Sequence, residues 1–259
     1  MTDKPYYVID FSATNCFIDI RVNDVCVFCL NVEGQVGTNI RVNYAILKEG
    51  TQRVSYTVLP IAGEISLREN VDFSATLSLY DASGYRIEKI EELNTYKIPE
   101  NANNSLVPLY KHEAVFHANV PYRIQAWENS ADLRDIDGLR ELVDKAYKKI
   151  EYIFSSGNYA QFIDMIVARE NDIATSMYMY DYQKEERVKE FLEILQEGYN
   201  KVIPTSPLDI MVVHAYGKLV TLKKPNGRSA FLLKNSAGEE LFLELKFHLP
   251  QGSSELVVI

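Results

Sequence analysis

The stretch PYRIQAWENSADLRDIDGLRELVDKAYKKIEYIF, residues 121–154, contains the change of hydrophobic rhythm that decides how this chain is read. Up to Asn129-Ser130 apolar residues recur at every second position. Beyond it Leu133, Ile136, Leu139, Val143, Ala146 or Tyr147, Ile150 and Phe154 recur at every third or fourth. Arg140, Glu141, Asp144, Lys145, Lys148 and Lys149 are left for solvent. A period of two lines one face of a strand, and a period between three and four lines one face of a helix. The switch predicts a boundary here: a strand-built domain over 1–128 and a helix-led domain over 129–259.

Working back from the boundary, FIDIRV (17–22) and VCVFCL (25–30) are β-branched and aromatic runs separated by Asn23-Asp24, which is hairpin chemistry. The pattern continues through GTNIRVNYAIL, QRVSYTVLP, DFSATLSLYD, GYRIEKIEEL, LYKHEAVFHANV and PYRIQAWEN, punctuated by glycines. About eight or nine short strands without an intervening helix predict an antiparallel β-sandwich of jelly-roll type. The Cys26-Val27-Phe28-Cys29 spacing falls on one of these strands. Successive side chains there alternate faces, and no Gly or Pro between the thiols makes a tight turn, so the pair is read as structural. With Cys16 the count is odd, which fits reduced thiols.

Working forward, SSGN (155–158) ends the first helix, with Gly157 and Asn158 suited to a helix end and a helix start. YAQFIDMIVARE gives a second helix and EERVKEFLEILQEGYNKV a third. LDIMVVHAYGKLVTLKK, a turn at 225–227, RSAFLLKN, a turn at 236–239, ELFLELKFHLP and SELVVI return to strands. The expected class is α+β: an N-terminal antiparallel β-sandwich, then an α+β domain of three helices followed by a β-meander.

The chain carries 27 Lys and Arg against 36 Asp and Glu, a formal net charge of −9. An acidic balance disfavours nucleic acid, whose phosphates are held by Lys and Arg, and leaves a basic protein partner open. No run approaches the roughly 18 apolar residues of a membrane span, and MTDKPYYVIDFS lacks signal-peptide organisation, so a soluble cytoplasmic protein is expected. No His/Cys/Asp/Glu cluster has metal-ligand spacing, and no phosphate-binding, dinucleotide or nucleophile-elbow motif is present. Neither a metal, a cofactor nor a catalytic residue is assigned.

The most unusual segment is Ser176-Met177-Tyr178-Met179-Tyr180-Asp181-Tyr182. As a strand it would set Tyr178, Tyr180 and Tyr182 on one face, and Tyr and Met both suit protein interfaces. The acidic helix beside it carries Glu185, Glu186, Glu190, Glu193 and Glu197. Tyr178, Tyr180, Tyr182, Glu186 and Glu190 are the candidate partner contacts. The bland alternative is an edge strand packed on the third helix beside an ordinary solvated face. His214 and Tyr216, expected together on one strand face, could instead line a ligand pocket as a polar pair. His112 and His117 are five apart and face opposite sides.

Three resemblances extend these readings. IRVNDVCVF followed by VNYAILKEGTQRVSYTVLP resembles the galactose-binding-like jelly rolls over about the first 60 residues. That implies a sandwich and, as one alternative, a carbohydrate- or small-ligand-binding module with Trp127 or Tyr80 as stacking platform. Residues 130–259, through Gly157-Asn158-Tyr159, Tyr216-Gly217-Lys218-Leu219-Val220 and Leu256-Val257-Val258, resemble the nuclear transport factor 2-like cone of ketosteroid isomerases and polyketide cyclases. The resemblance implies an isomerase or cyclase, yet the family's strand Asp would fall where this chain reads Ile173-Ala174-Thr175-Ser176. Asp172 stands one or two positions early, and Tyr147 and Tyr152 are out of step with the family's donor near Ile150. In overall style the chain resembles the cytoplasmic immunity proteins of bacterial polymorphic toxins. This implies a non-enzymatic protein that occludes a basic toxin domain. The sequence carries no sign of oligomeric state.

Overall fold

In the computed structural model, which describes residues 2–100, 109–196 and 198–259, one long strand organises the amino-terminal unit. β1, Pro5–Val22, pairs along one edge with β2, Val25–Arg41. Its other edge is shared: residues 5–14 pair with β4, Asp72–Asp81, and residues 17–22 with β3, Gly50–Leu59. Between the two stretches lies Asn15, at φ 48°, where the register with β2 shifts. β5, Glu88–Lys97, adds to β4, and β6, Tyr110–Ala118, adds to β3, giving the order β5-β4-β1-β3-β6 with β2 paired to β1. A bulge bends its strand and increases the local twist, so the antiparallel sheet curls over its own core. Tyr56 of β3 lies 5.9 Å from Phe73 of β4, and Tyr96 of β5 stacks on His112 of β6 at 4.4 Å, ring centre to ring centre.

The hairpin expected at Asn23-Asp24 has both residues left-handed, φ 51° and 61°, as a two-residue turn between twisted strands requires. Among the described residues this unit has six strands, fewer than the eight or nine expected. Two differences account for most of this. β2 runs unbroken through Gly34 and Gly37, because pairing with β1 outweighs glycine's turn preference. Residues 43–45 form a single helical turn in place of a strand, and the buried Asn43 there substitutes its side chain for a strand backbone. Its carboxamide oxygen accepts the Tyr7 N–H at 2.9 Å, and its NH2 donates to the Pro5 carbonyl at 2.8 Å. PYRIQAWEN is not a strand either. No disulfide joins Cys16, Cys26 and Cys29. Burial pushes the Cys16 thiol up to about 12, which keeps it protonated. His112 is turned onto Tyr96 while His117 is exposed, so the two face opposite sides.

The chain divides into two compact units, Met1–Ile124 and Gln125–Ile259. In the second, α1 is Leu139–Ser155, α2 Tyr159–Ser176 and α3 Asp181–Gln196. α1 buries Leu139, Val143, Tyr147, Ile150 and Phe154, which is the stripe read from the sequence. It starts later than that stripe because Leu133 belongs to a separate turn, capped by Asp132, and Gly138 at φ 68° opens the helix. Gly157, at φ 71°, and Asn158, whose side chain accepts the Gln161 N–H, make the α1–α2 junction. After the helices come β7 (Lys201–Ile203), β8 (Ile210–His214), β9 (Leu219–Lys223), β10 (Leu232–Lys234), β11 (Glu240–Phe242), β12 (Phe247–His248) and β13 (Val257–Val258). They form two small antiparallel sheets, β11-β10-β7 and β13-β12-β9-β8. Phe154 of α1 meets Phe162 of α2 and Phe231 edge-on in the core, at 4.8 and 5.1 Å. The class is therefore α+β. Among the described residues no helix is long and apolar enough to cross a membrane.

Candidate functional site

The Met–Tyr segment is a helix-to-helix turn, which corrects its reading as a strand. α2 extends through residues 173–176, where the resemblance to the cone family implied a strand, and closes with the pattern of a Schellman end. The Met179 N–H donates to the Ala174 carbonyl at 2.9 Å and the Tyr178 N–H to the Thr175 carbonyl at 3.3 Å. That closure demands a left-handed residue, a place usually taken by glycine. Here Tyr178 occupies it at φ 52°. The next helix begins at once: the Tyr180 N–H donates to the Gln183 side-chain oxygen at 2.9 Å, one half of a capping box.

The consequence is geometric. Tyr180 and Tyr182, straddling the start of α3, lie with ring planes 8° apart and centroids 5.9 Å apart, and are 59% and 63% exposed. Tyr178 is half-buried and does not share their face in the alternating way a strand would give. Two aromatic rings in offset stacking gain from each other and so present a preordered apolar surface to solvent.

Behind the rings, two basic residues of α3, Lys184 and Arg187, are turned onto α2. Lys184 Nζ donates to Asn171 Oδ1 at 3.0 Å, and Arg187 Nε to Glu170 Oε2 at 2.8 Å. Glu170 is buried, and Arg169 Nε lies 3.9 Å from its other carboxylate oxygen. With these two cations engaged, the open side of α3 carries exposed Glu185, Glu186, Glu190 and Glu193, with Lys189 among them. Lys189 pairs with Glu193 at 3.5 Å. Among the described residues Glu185, Glu186 and Glu190 form no ion pair; Glu197 lies outside the described residues. Glu190 also rims a cleft of about 330 Å³ whose floor is Phe162, Ile166, Phe191 and Leu243. Of the five candidate contacts, the fold brings Tyr180, Tyr182, Glu186 and Glu190 to the turn and outer face of one helix. Arg187, Asn171 and Gln183, which shape that face, are ordinary helix residues in the sequence and carry no local signal there.

The other candidates are dispersed. Tyr80, on β4, borders a shallow depression of about 400 Å³ on the sheet, together with Asp10, Ser12, Thr76, Lys89 and Glu92. Trp127 belongs to the second unit and is half-buried in a turn. His214 and Tyr216 do not share a face. His214 is buried at the end of β8, whereas Tyr216 occupies the tight turn to β9 at φ 56° and is exposed. The turn is a four-residue loop, 215–218, with Ala215 and Gly217 also left-handed, and it removes Tyr216 from the strand. Asp172 is half-buried in α2, and desolvation raises its carboxyl above the ordinary range. Among the described residues no group of three His, Cys, Asp or Glu is placed to hold a metal ion. No family model, curated protein or solved structure matches the chain.

Proposed function

We propose that the chain is a non-enzymatic binding protein that docks a basic protein partner on the α2–α3 turn and the outer face of α3. The observation carrying this reading is the exposed Tyr180–Tyr182 stack immediately before a helix face on which Glu185, Glu186 and Glu190 form no ion pair among the described residues. Stacked tyrosines offer contact area with little side-chain entropy left to lose, and the carboxylates steer and register a cationic surface. Tyr178 adds support: a tyrosine held where glycine is favoured indicates a demand other than stability. In its more specific form the partner is a bacterial toxin domain and the chain is its cytoplasmic immunity protein. It would act by covering the toxin's active cleft over roughly 1,200–2,000 Å².

The test is co-expression with the product of the adjacent gene, followed by affinity measurement on the purified pair. Tyr180→Ser with Tyr182→Ser, and separately Glu186→Lys with Glu190→Lys, are each expected to weaken binding about tenfold or more. Added salt should slow association of the wild type. A neighbour that does not co-purify, or affinities untouched by both double variants, overturns the reading.

A second reading has one observation in its favour. The depression beside Tyr80 sets an aromatic ring among hydroxyl and charged groups, as a carbohydrate- or small-ligand-binding module of galactose-binding-like type would need. A glycan array answered by wild type and lost in Tyr80→Ala would support it. The cone-type isomerase or cyclase reading draws less support, since Asp172 sits in a helix and His214 and Tyr216 part company.

A further inference from the structure

We infer that the outer edge of β2 pairs with the same edge of a second copy of this chain, continuing the sheet across a two-fold axis at Gly37. β2 is hydrogen-bonded to β1 on one side only, and among the described residues no strand pairs with its other side. Which groups point outward follows from two bonds. The Val42 N–H donates to the Tyr7 carbonyl at 2.9 Å, and the Ala82 N–H to the Lys4 carbonyl at 3.0 Å. Over residues 5–14, odd-numbered residues of β1 therefore bond towards β2 and even-numbered ones towards β4. Counting by two along the register, Ile40, Thr38 and Val36 bond inward, opposite Ile9, Phe11 and Ala13. Gln35, Gly37, Asn39 and Arg41 turn their N–H and C=O groups outward. All four residues are exposed.

This edge is undefended. Natural edge strands are blunted by lysines, prolines, bulges and dense charge. β5 shows that treatment, with Glu88, Lys89, Glu91, Glu92 and Lys97 in one strand and two register shifts against β4. β2 has no lysine or proline, and although its pairing with β1 shifts register at Asn15 and again between Ile20 and Arg21, it is regular from Thr14/Gln35 to Val8/Arg41.

The occupant is identified by symmetry and charge. Glu33 and Arg41 are the only charged residues of β2. An antiparallel self-pairing centred on Gly37 sets Glu33 of each chain opposite Arg41 of the other, and Gln35 opposite Asn39. Centring on Gln35 or Asn39 instead leaves both charges without an opposite. The Gly37 centre also lets two backbones meet where no side chain intervenes. On the other face it places Val36 against Thr38, a β-branched cross-strand pair.

The experiment is sedimentation equilibrium on the full chain and its charge variants, with circular dichroism confirming that each is folded. Wild type is expected to self-associate to a dimer. Glu33→Arg and Arg41→Glu should each raise the dimer dissociation constant about tenfold or more, because each sets like charges opposite one another twice. The double variant Glu33→Arg/Arg41→Glu should return it to near the wild-type value. Asn39→Pro, which deletes an outward N–H that the folded monomer does not use, should also give a monomer. A monomeric wild type, or a dimer indifferent to the single reversals, overturns the inference.

Discussion

Arg187 of α3 reaches across the helical hairpin to Glu170 of α2, Nε to Oε2 at 2.8 Å, and the carboxylate it holds is buried. The bond decides which face of α3 meets solvent. Removing the arginine leaves a buried carboxylate with Arg169, at 3.9 Å, as its remaining ion-pair partner among the described residues. Arg187→Met should therefore cost about 1–3 kcal/mol, whereas Glu170→Gln, which deletes the buried charge itself, should cost less. Urea unfolding of the two variants beside wild type checks the order. Equal losses, or none, would show that the pair does not hold the hairpin.

Tyr178 sits at φ 52° in the closing turn of α2, where an L side chain is strained by about 1–2 kcal/mol and glycine is not. Part of that strain is offset by contacts of the half-buried ring. Tyr178→Gly is expected to leave the unfolding midpoint unchanged or to raise it, while weakening the partner complex. A variant that unfolds well below wild type would mean that the ring serves stability, and the argument from strain would fail.

Much of the fold was legible because local chemistry and global packing agree. Asn23-Asp24 requires two left-handed residues and has them, the α1 stripe is buried as its period demands, and Gly157-Asn158 ends one helix and starts the next. Where the reading failed, a distant partner outweighed local preference. Gly34 and Gly37 look like turns but lie within β2, which is held by β1 along its length. Asn43 looks like a strand residue, yet its carboxamide serves the backbone of β1, 38 positions away at Pro5. The Met–Tyr alternation resembles a strand pattern because a helix end, a turn and a helix start happen to spell it. The acidic side of α3 was visible, but not why two of the helix's three cations leave it. Lys184 and Arg187 are interleaved with the glutamates in sequence, and only the packing of α2 withdraws them.

Gly217 follows the β8–β9 turn at φ 90°, and its carbonyl accepts the Leu133 N–H at 2.8 Å, tying the entry to the second unit onto that hairpin. A Cβ there would press on Asp132 Oδ1 and lie 2.6 Å from Arg134 Nε. Gly252, at φ 80°, has nothing within 4 Å of a Cβ, so Gly252→Ala measures the backbone strain alone. Both substitutions should destabilise, Gly252→Ala by about 1 kcal/mol and Gly217→Ala by about 1–3 kcal/mol more. Thermal unfolding of both variants separates the two costs. Equal effects would show that the Asp132–Arg134 pair simply moves aside.

His248 shares a hydrogen bond with Ser130, Nδ1 to Oγ at 2.7 Å, and burial lowers its pKa below the ordinary imidazole value of 6.5. The folded chain thus resists a proton that the unfolded chain accepts near that value. Between the two pKa values the unfolded state binds more protons, and stability rises with pH. His248 therefore contributes stability that is present above about pH 6.5 and is lost as pH falls through its lower folded value. His248→Asn cannot titrate, and it keeps a polar atom near the position of Nδ1. Its unfolding midpoint should depend on pH less steeply than that of wild type between about pH 7 and 5, the two curves converging towards acid. Parallel curves across that window would mean that the imidazole takes up its proton without leaving its site, and that burial does not hold it neutral.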